Sequence, residues 1–226
     1  MTNAAAFVTP SFSADWLQAA LWLIVITDLG LLAAERQRLS IRLIAVQGCI
    51  LGLMPLIALP GSIDMHLLGV AAIFLGVKGV ALPLLLRRTY KKLPPQPPAN
   101  PYLGNTASVL VGVCGYAFSL WFGTRLGVAS SPLLTLVFPS AFATIFAGLL
   151  LIVTRRKALG QMFGYLVMEN GIYLLGVPMA QEDAVWLELS ILLDILVGAF
   201  VMGIAIHHIN RAFNSTDVEE FASLRD

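Results

Sequence analysis

Four ionisable side chains, Asp28, Lys78, Glu169 and Asp194, interrupt long apolar runs of this chain. A lone charge at the centre of a bilayer costs about 2.5 to 3.5 kcal/mol on insertion scales, so such groups pair, give up their charge, or line a wet path. Glu169, in "GQMFGYLVMENGIYLLGV", is too short to snorkel to the membrane surface. It must find a counter-charge or hold its proton. Lys78 is the one intramembrane cation facing three acids, so at least two acids are neutral, hydrated or paired with groups on another subunit. Acids that alternate between a proton and a cationic partner do the chemistry of a proton relay. The plainer alternative is a fixed ion pair that only sets helix packing.

Such groups need long helices to carry them. Of 226 residues, 58% are hydrophobic and 12% charged, against about 25% charged in a soluble domain. A spanning helix takes about 20 apolar residues. Seven segments qualify: Trp16 to Glu35, Ile41 to Leu59, His66 to Leu86, Asn105 to Gly123, Leu133 to Thr154, Leu159 to Pro178 and Val185 to His208. The expected fold is an all-α polytopic membrane protein with about seven transmembrane helices. Counted from one set of helix ends, Asp28 lies roughly 12 Å deep, Lys78 roughly 14 Å, Glu169 roughly 15 Å and Asp194 roughly 20 Å.

Twelve of the fourteen Lys and Arg fall on one side of this layout. They are Arg36, Arg38 and Arg42; Arg87, Arg88, Lys91 and Lys92; Arg155, Arg156 and Lys157; and Arg211 and Arg225. Only Arg125 falls opposite. The positive-inside rule then puts the N-terminus outside and the C-terminus in the cytoplasm. The stretch from Arg87 to Tyr102, with five prolines, reads as an extended surface linker and the main internal seam. Four regions follow: a three-helix N-terminal segment over 1–103, a fourth helix and outer loop over 104–132, a three-helix unit over 133–211, and a tail over 212–226. The N-terminus lacks the basic region of a signal peptide, so the first helix is expected to stay.

Other residues read as architecture. Cys49 and Cys114 lack ligand-spaced partners and are expected to be small buried side chains. Gly160 and Gly164 form a small-xxx-small step, and Gly76, Gly79, Gly198 and Gly203 favour close helix approach. Pro55, Pro83 and Pro139 are expected to kink or loosen their helices, and a kink after Lys78 would free carbonyls to solvate it. His207 and His208 read as interfacial helix-end residues or as a proton exit. No GxxxxGK[ST], HExxH, GxSxG or CxxC occurs, so neither a metal nor another cofactor is expected, nor catalysis by this chain alone.

The stretches "RRKALGQMFGYLVMENGIYLLG", "LELSILLDILVGAFVMGIAIHHINRAF" and "STDVEEFASLRD", with Lys78 to Pro83 as "KGVALP", resemble the hydrogenase-4 component E family. Those proteins are membrane subunits of formate hydrogenlyase and related group 4 [NiFe]-hydrogenase complexes. The helices from Leu133 to His208 also resemble the K-type subunit of respiratory complex I and the C-type subunit of multisubunit antiporters. The K-type subunit carries a membrane glutamate on each of its last two helices. Asp194, with Gly198 four residues on, matches the second position with Asp for Glu. Aligning on Asn170 sets Glu169 about one helical turn from the first.

The resemblance implies a non-catalytic membrane subunit of a hydrogenase-type oxidoreductase complex in the inner or plasma membrane. Its partners would be antiporter-like membrane subunits, soluble subunits carrying the metal centres, and the lipid bilayer, with no nucleic acid. Glu169, Asp194, Lys78 and, more weakly, Asp28 would belong to a proton path. A cation/proton antiporter subunit without a redox partner and a purely scaffolding subunit remain open as alternatives.

Overall fold

The computed structural model describes residues 10–58, 65–92, 102–125 and 132–179, together with Gly198 and Gly203. All of its regular structure is helical: α1 (Pro10–Ala33), α2 (Gln37–Ala58), α3 (Met65–Phe74), a π-helical segment (Leu75–Ala81), α4 (Leu82–Lys92), α5 (Asn105–Arg125), α6 (Pro132–Thr154) and α7 (Ala158–Met179). Five of the helical stretches are long and apolar enough to cross a membrane: Asp15–Ala33, Gln37–Ile57, Leu68–Lys91, Asn105–Arg125 and Val137–Thr154. At 22 residues α7 is also long enough, but Glu169 and Asn170 lower its apolar character. The expected last helix, Val185 to His208, lies outside the described residues apart from Gly198 and Gly203, both helical.

The outer surface is what a bilayer requires. Trp22, Ile26, Leu110, Phe118, Trp121 and Val153 are all exposed, whereas α5 turns Ser108, Gly112, Gly115 and Ser119 inward. Water would favour the reverse. In lipid there is no hydrophobic drive between helices, and small residues let backbones approach. A Cβ on Gly112 would strike Leu32 of α1, and one on Gly115 would strike Phe146 of α6. Hydroxyls are satisfied within their own helices, as in Ser119 Oγ to the Gly115 carbonyl at 2.8 Å and Thr154 Oγ1 to the Leu150 carbonyl at 2.6 Å. Cys114 is exposed on the lipid-facing side of α5 and Cys49 is half-buried, so neither is the buried filler expected.

The first, third and fifth connections gather at one end of the bundle, as the charge pattern requires. The Arg155 guanidinium donates to the Leu32 carbonyl at 2.9 Å and to the Leu31 carbonyl at 3.4 Å, closing the C-terminal end of α1. Burial pushes the Arg155 guanidinium below its ordinary range, and the Glu35 carboxylate opposes that shift. Asn105 Nδ2 donates to Glu35 Oε1 at 2.8 Å, Arg156 stacks over the Tyr102 ring at 4.2 Å, and Arg38 lies over Tyr90 at 6.0 Å. The helix carrying Lys78 runs on to Lys92, six residues past the expected stop at Leu86. Leu-Leu-Arg-Arg favours helix, and the basic residues complement the negative end of its dipole. Arg87 to Lys92 are thus helical and not part of the expected linker, of which 93–101 lie outside the described residues.

Two apolar clusters fill the interior. One joins Leu17 to Ile24, Leu51, Met54, Phe74, Val137, Ala141 and Tyr173 to Val177. The other joins Leu31, Leu32, Ile41, Ile44, Leu82, Leu86, Ala147, Leu151 and Leu159 to Val167. Along each of the five helices that supply them, a polar residue falls in the gap between the two: Asp28, Gln47, Lys78, Thr144, and Glu169 with Asn170. A polar layer lies between two apolar clusters.

Candidate functional site

Close backbone packing brings this layer together. Gly48 and Gly52 of α2 lie four residues apart against the π segment, where a Cβ on Gly48 would collide with the Lys78 carbonyl and one on Gly52 would stand 2.7 Å from Leu75 Cα. Gly148 and Gly164 do the same between α6 and α7, and an added Cβ on Gly171 would sit 2.6 Å from the Ile145 nitrogen. Gly164 thus packs as expected, whereas Gly160 faces the Arg155 side chain instead. The π segment precedes Pro83. Proline withholds the N–H that an α-helical Gly79 carbonyl would accept, and the Leu82 N–H reaches back to Val77 in an i to i+5 bond. The irregularity expected beyond Lys78 therefore contains Lys78 itself. Single π turns inside α-helices recur at functional sites.

Lys78 and Glu169 form a buried ion pair between the π segment and α7. Both are at most 2% exposed. The Lys78 ammonium also lies 5.2 Å from the centre of the Tyr173 ring, a cation–π distance, and Phe74 packs on that ring at 4.7 Å. From the ammonium a chain of hydrogen bonds runs across the bundle. Lys78 Nζ donates to Asn170 Oδ1 at 3.4 Å, Asn170 Nδ2 to Gln47 Oε1 at 3.2 Å, and Gln47 Nε2 to Asp28 Oδ1 at 2.8 Å. The second Asp28 oxygen lies 2.7 Å from Thr144 Oγ1, itself 2.8 Å from the Ser140 carbonyl. Every N–H along the chain points away from the cation and toward the carboxyl. Both carboxamide dipoles are thus aligned to favour Lys78 charged at one end and Asp28 charged at the other.

Three of the four expected site residues, Asp28, Lys78 and Glu169, meet in one network. Asp194 lies outside the described residues, as do Glu188, His207 and His208. Gly198, four residues after Asp194, would meet Leu82 Cδ2 at 3.7 Å through an added Cβ. Gln47, Thr144 and Tyr173 are residues that charge-based reading passes over, and Asn170 is noticed there only as Glu169's neighbour. Gln47 had a signal of its own: a single carboxamide inside "LIAVQGCILG". No group of three His, Cys, Asp or Glu that could hold a metal occurs among the described residues.

The hydrogenase-4 component E of Escherichia coli is 25% identical over 209 residues, covering 90% of this chain and 94% of that protein. The corresponding component E of Shigella flexneri matches to the same extent. An uncharacterized protein of Mycobacterium tuberculosis is 31% identical over 191 residues, 84% of this chain and 86% of its own length. Over almost its whole length the chain is similar to the hydrogenase-4 component E proteins. No family model and no solved structure matches it. The ion pair, its carboxamide bridge and Asp28 sit on helices of which several are long and apolar enough to cross a membrane, which together with the similarity points to a membrane location.

Proposed function

We propose that this chain is an integral membrane subunit of a hydrogenase-type energy-converting complex, and that its polar layer moves protons, or another cation, in step with electron transfer in partner subunits. The observation that carries this reading is the Lys78–Glu169 pair, joined to Asp28 and enclosed by apolar clusters on both sides. Apolar clusters on both faces would hold back protons at rest. The layer would conduct only when one cluster opens or the pair separates, which is the condition for coupling transport to a distant reaction. The names of the relatives supply the hydrogenase context.

In this reading the chain has seven spans with its N-terminus outside and its C-terminus cytoplasmic, in the inner or plasma membrane. Residues 133–211 act as a K-type-like unit, with Asp194 of the last helix joining the proton path. The neighbouring positions of Gly198 and Leu82 support that placement. Partners are antiporter-like membrane subunits and soluble metal-bearing subunits. The test uses the assembled complex in vesicles. Glu169→Gln and Asp194→Asn should preserve assembly while lowering protons moved per electron severalfold, and undiminished coupling in assembled complexes would sink the proposal.

One observation favours a second reading: Lys78 and Glu169 already neutralise each other, as a structural strut would. A strut tolerates joint replacement by apolar residues of similar size and not single replacement. If Lys78→Met with Glu169→Met leaves proton coupling intact, the pair is scaffolding.

A further inference from the structure

We propose that Asp28 is a second protonatable site that exchanges field, and not protons, with the Lys78–Glu169 pair, and that Gln47 and Asn170 are the positioning residues through which the two are coupled. The inference deepens the proton-handling reading and rests on it. Its basis is the unbroken sequence of donors from Lys78 Nζ through Asn170 and Gln47 to Asp28 Oδ1 at 3.4, 3.2 and 2.8 Å. All the linking residues are at most 4% exposed.

The chemistry of the links decides what can pass. A carboxamide neither takes nor releases a proton near neutral pH, so two in series block proton hopping between Asp28 and Glu169. They do transmit charge. Each is a fixed dipole comparable to the roughly 3.5 D of a peptide unit, held in line within a low-dielectric interior where such interactions are strongest. When negative charge leaves the Lys78 end, the ammonium's field acts along the aligned amides to favour ionised Asp28. When positive charge leaves, the bias reverses. Asp28 and Glu169 are therefore two stations with separate proton supplies and one shared electrostatic account of how many charges the layer holds. Among the described residues, the groups facing Asp28 from the packed helices are Gln47 of α2 and Thr144 of α6. Those facing Lys78 among the described residues include Glu169, Asn170 and Tyr173 of α7.

The test reads the reactivity of one carboxyl. A membrane-soluble carbodiimide, dicyclohexylcarbodiimide, adds to a protonated buried carboxylic acid and yields a stable N-acylurea, whose amount at Asp28 mass spectrometry can follow. The full chain in native membranes is labelled as wild type, Glu169→Gln, Lys78→Met, Gln47→Leu and each pair with Gln47→Leu. With Gln47 present, Glu169→Gln should slow labelling of Asp28 at least fivefold and Lys78→Met should speed it. With Leu at 47 both responses should shrink below twofold. Asn170→Leu, which cuts the same bridge elsewhere, should behave like Gln47→Leu and guards against a folding artefact at either position. Equal responses with and without the bridge, or no response in any variant, overturn the proposal. Because labelling requires no electron transfer, the bridge can fail this test while proton pumping survives, and the reverse.

Discussion

Glu169 and Asp28 are both carboxyls at most 3% exposed in the same layer, yet they are held differently. Glu169 faces an ammonium, whereas the hydrogen-bonding partners of Asp28 among the described residues, Gln47 and Thr144, are neutral. The contrast separates two ways of keeping an acid in a membrane. An ion pair is cheap only while both members are present, because removing one strands a charge. A carboxyl held by neutral donors keeps most of its bonds when its charge is removed. One site is therefore sensitive to charge balance and the other to geometry.

The largest expected effect breaks that balance. Glu169→Leu or Lys78→Met alone should destabilise the fold by about 3 to 5 kcal/mol, while the double replacement by Met should recover most of the loss. Unfolding in mixed detergent with increasing dodecyl sulfate measures both. The second effect attacks the seat of the pair without touching a charge. Gly48→Val drives a side chain into the Lys78 carbonyl, and overpacking of this kind costs about 1 to 3 kcal/mol. It should also lower proton coupling in the assembled complex by displacing the π segment. A smaller change follows at the neutral-donor site. Asp28→Asn keeps an acceptor for Gln47 and should cost about 1 kcal/mol or less, so a loss as large as that at Glu169 would erase the contrast. The smallest belongs to Thr144→Ala. It removes one interhelical hydrogen bond to Asp28, worth about 0.6 kcal/mol in a membrane protein.

The same contrast explains what could be read from the chain before its fold was known. Charges in apolar runs are conspicuous because lipid penalises them, so Asp28, Lys78 and Glu169 stood out, as did the helices around them. Boundaries of α2, α5, α6 and α7 fell within a few residues because Gly, Pro and basic clusters punctuate membrane helices sharply. The pairing of Lys78 with Glu169 was not legible, since it depends on which face of the π segment meets α7. Pro83 pointed to an irregular turn and not to its place, which lies upstream of the proline, over Leu75–Ala81. Gln47 and Thr144 were missed for a physical reason. Neutral polar residues are common in membrane helices, where they bond within their own backbone, and only packing shows which of them reach across. Gly48 and Gly52 form a small-xxx-small step on α2 that went unnoticed beside the other glycines, and what they seat shows only in the packing.

The order of the helices along the chain adds a consequence for synthesis. Lys78 leaves the ribosome 91 residues before Glu169, and at about 5 to 20 residues per second its span waits for its counter-ion for on the order of 5 to 20 seconds. Asp28 waits only 19 residues for Gln47, which arrives with the next helix. The stretch Leu68–Lys91 must therefore hold a lysine in the membrane, or beside the insertion machinery, on the strength of its leucines and valines alone. Truncating the nascent chain before α7 should leave that span the least securely inserted of the first three.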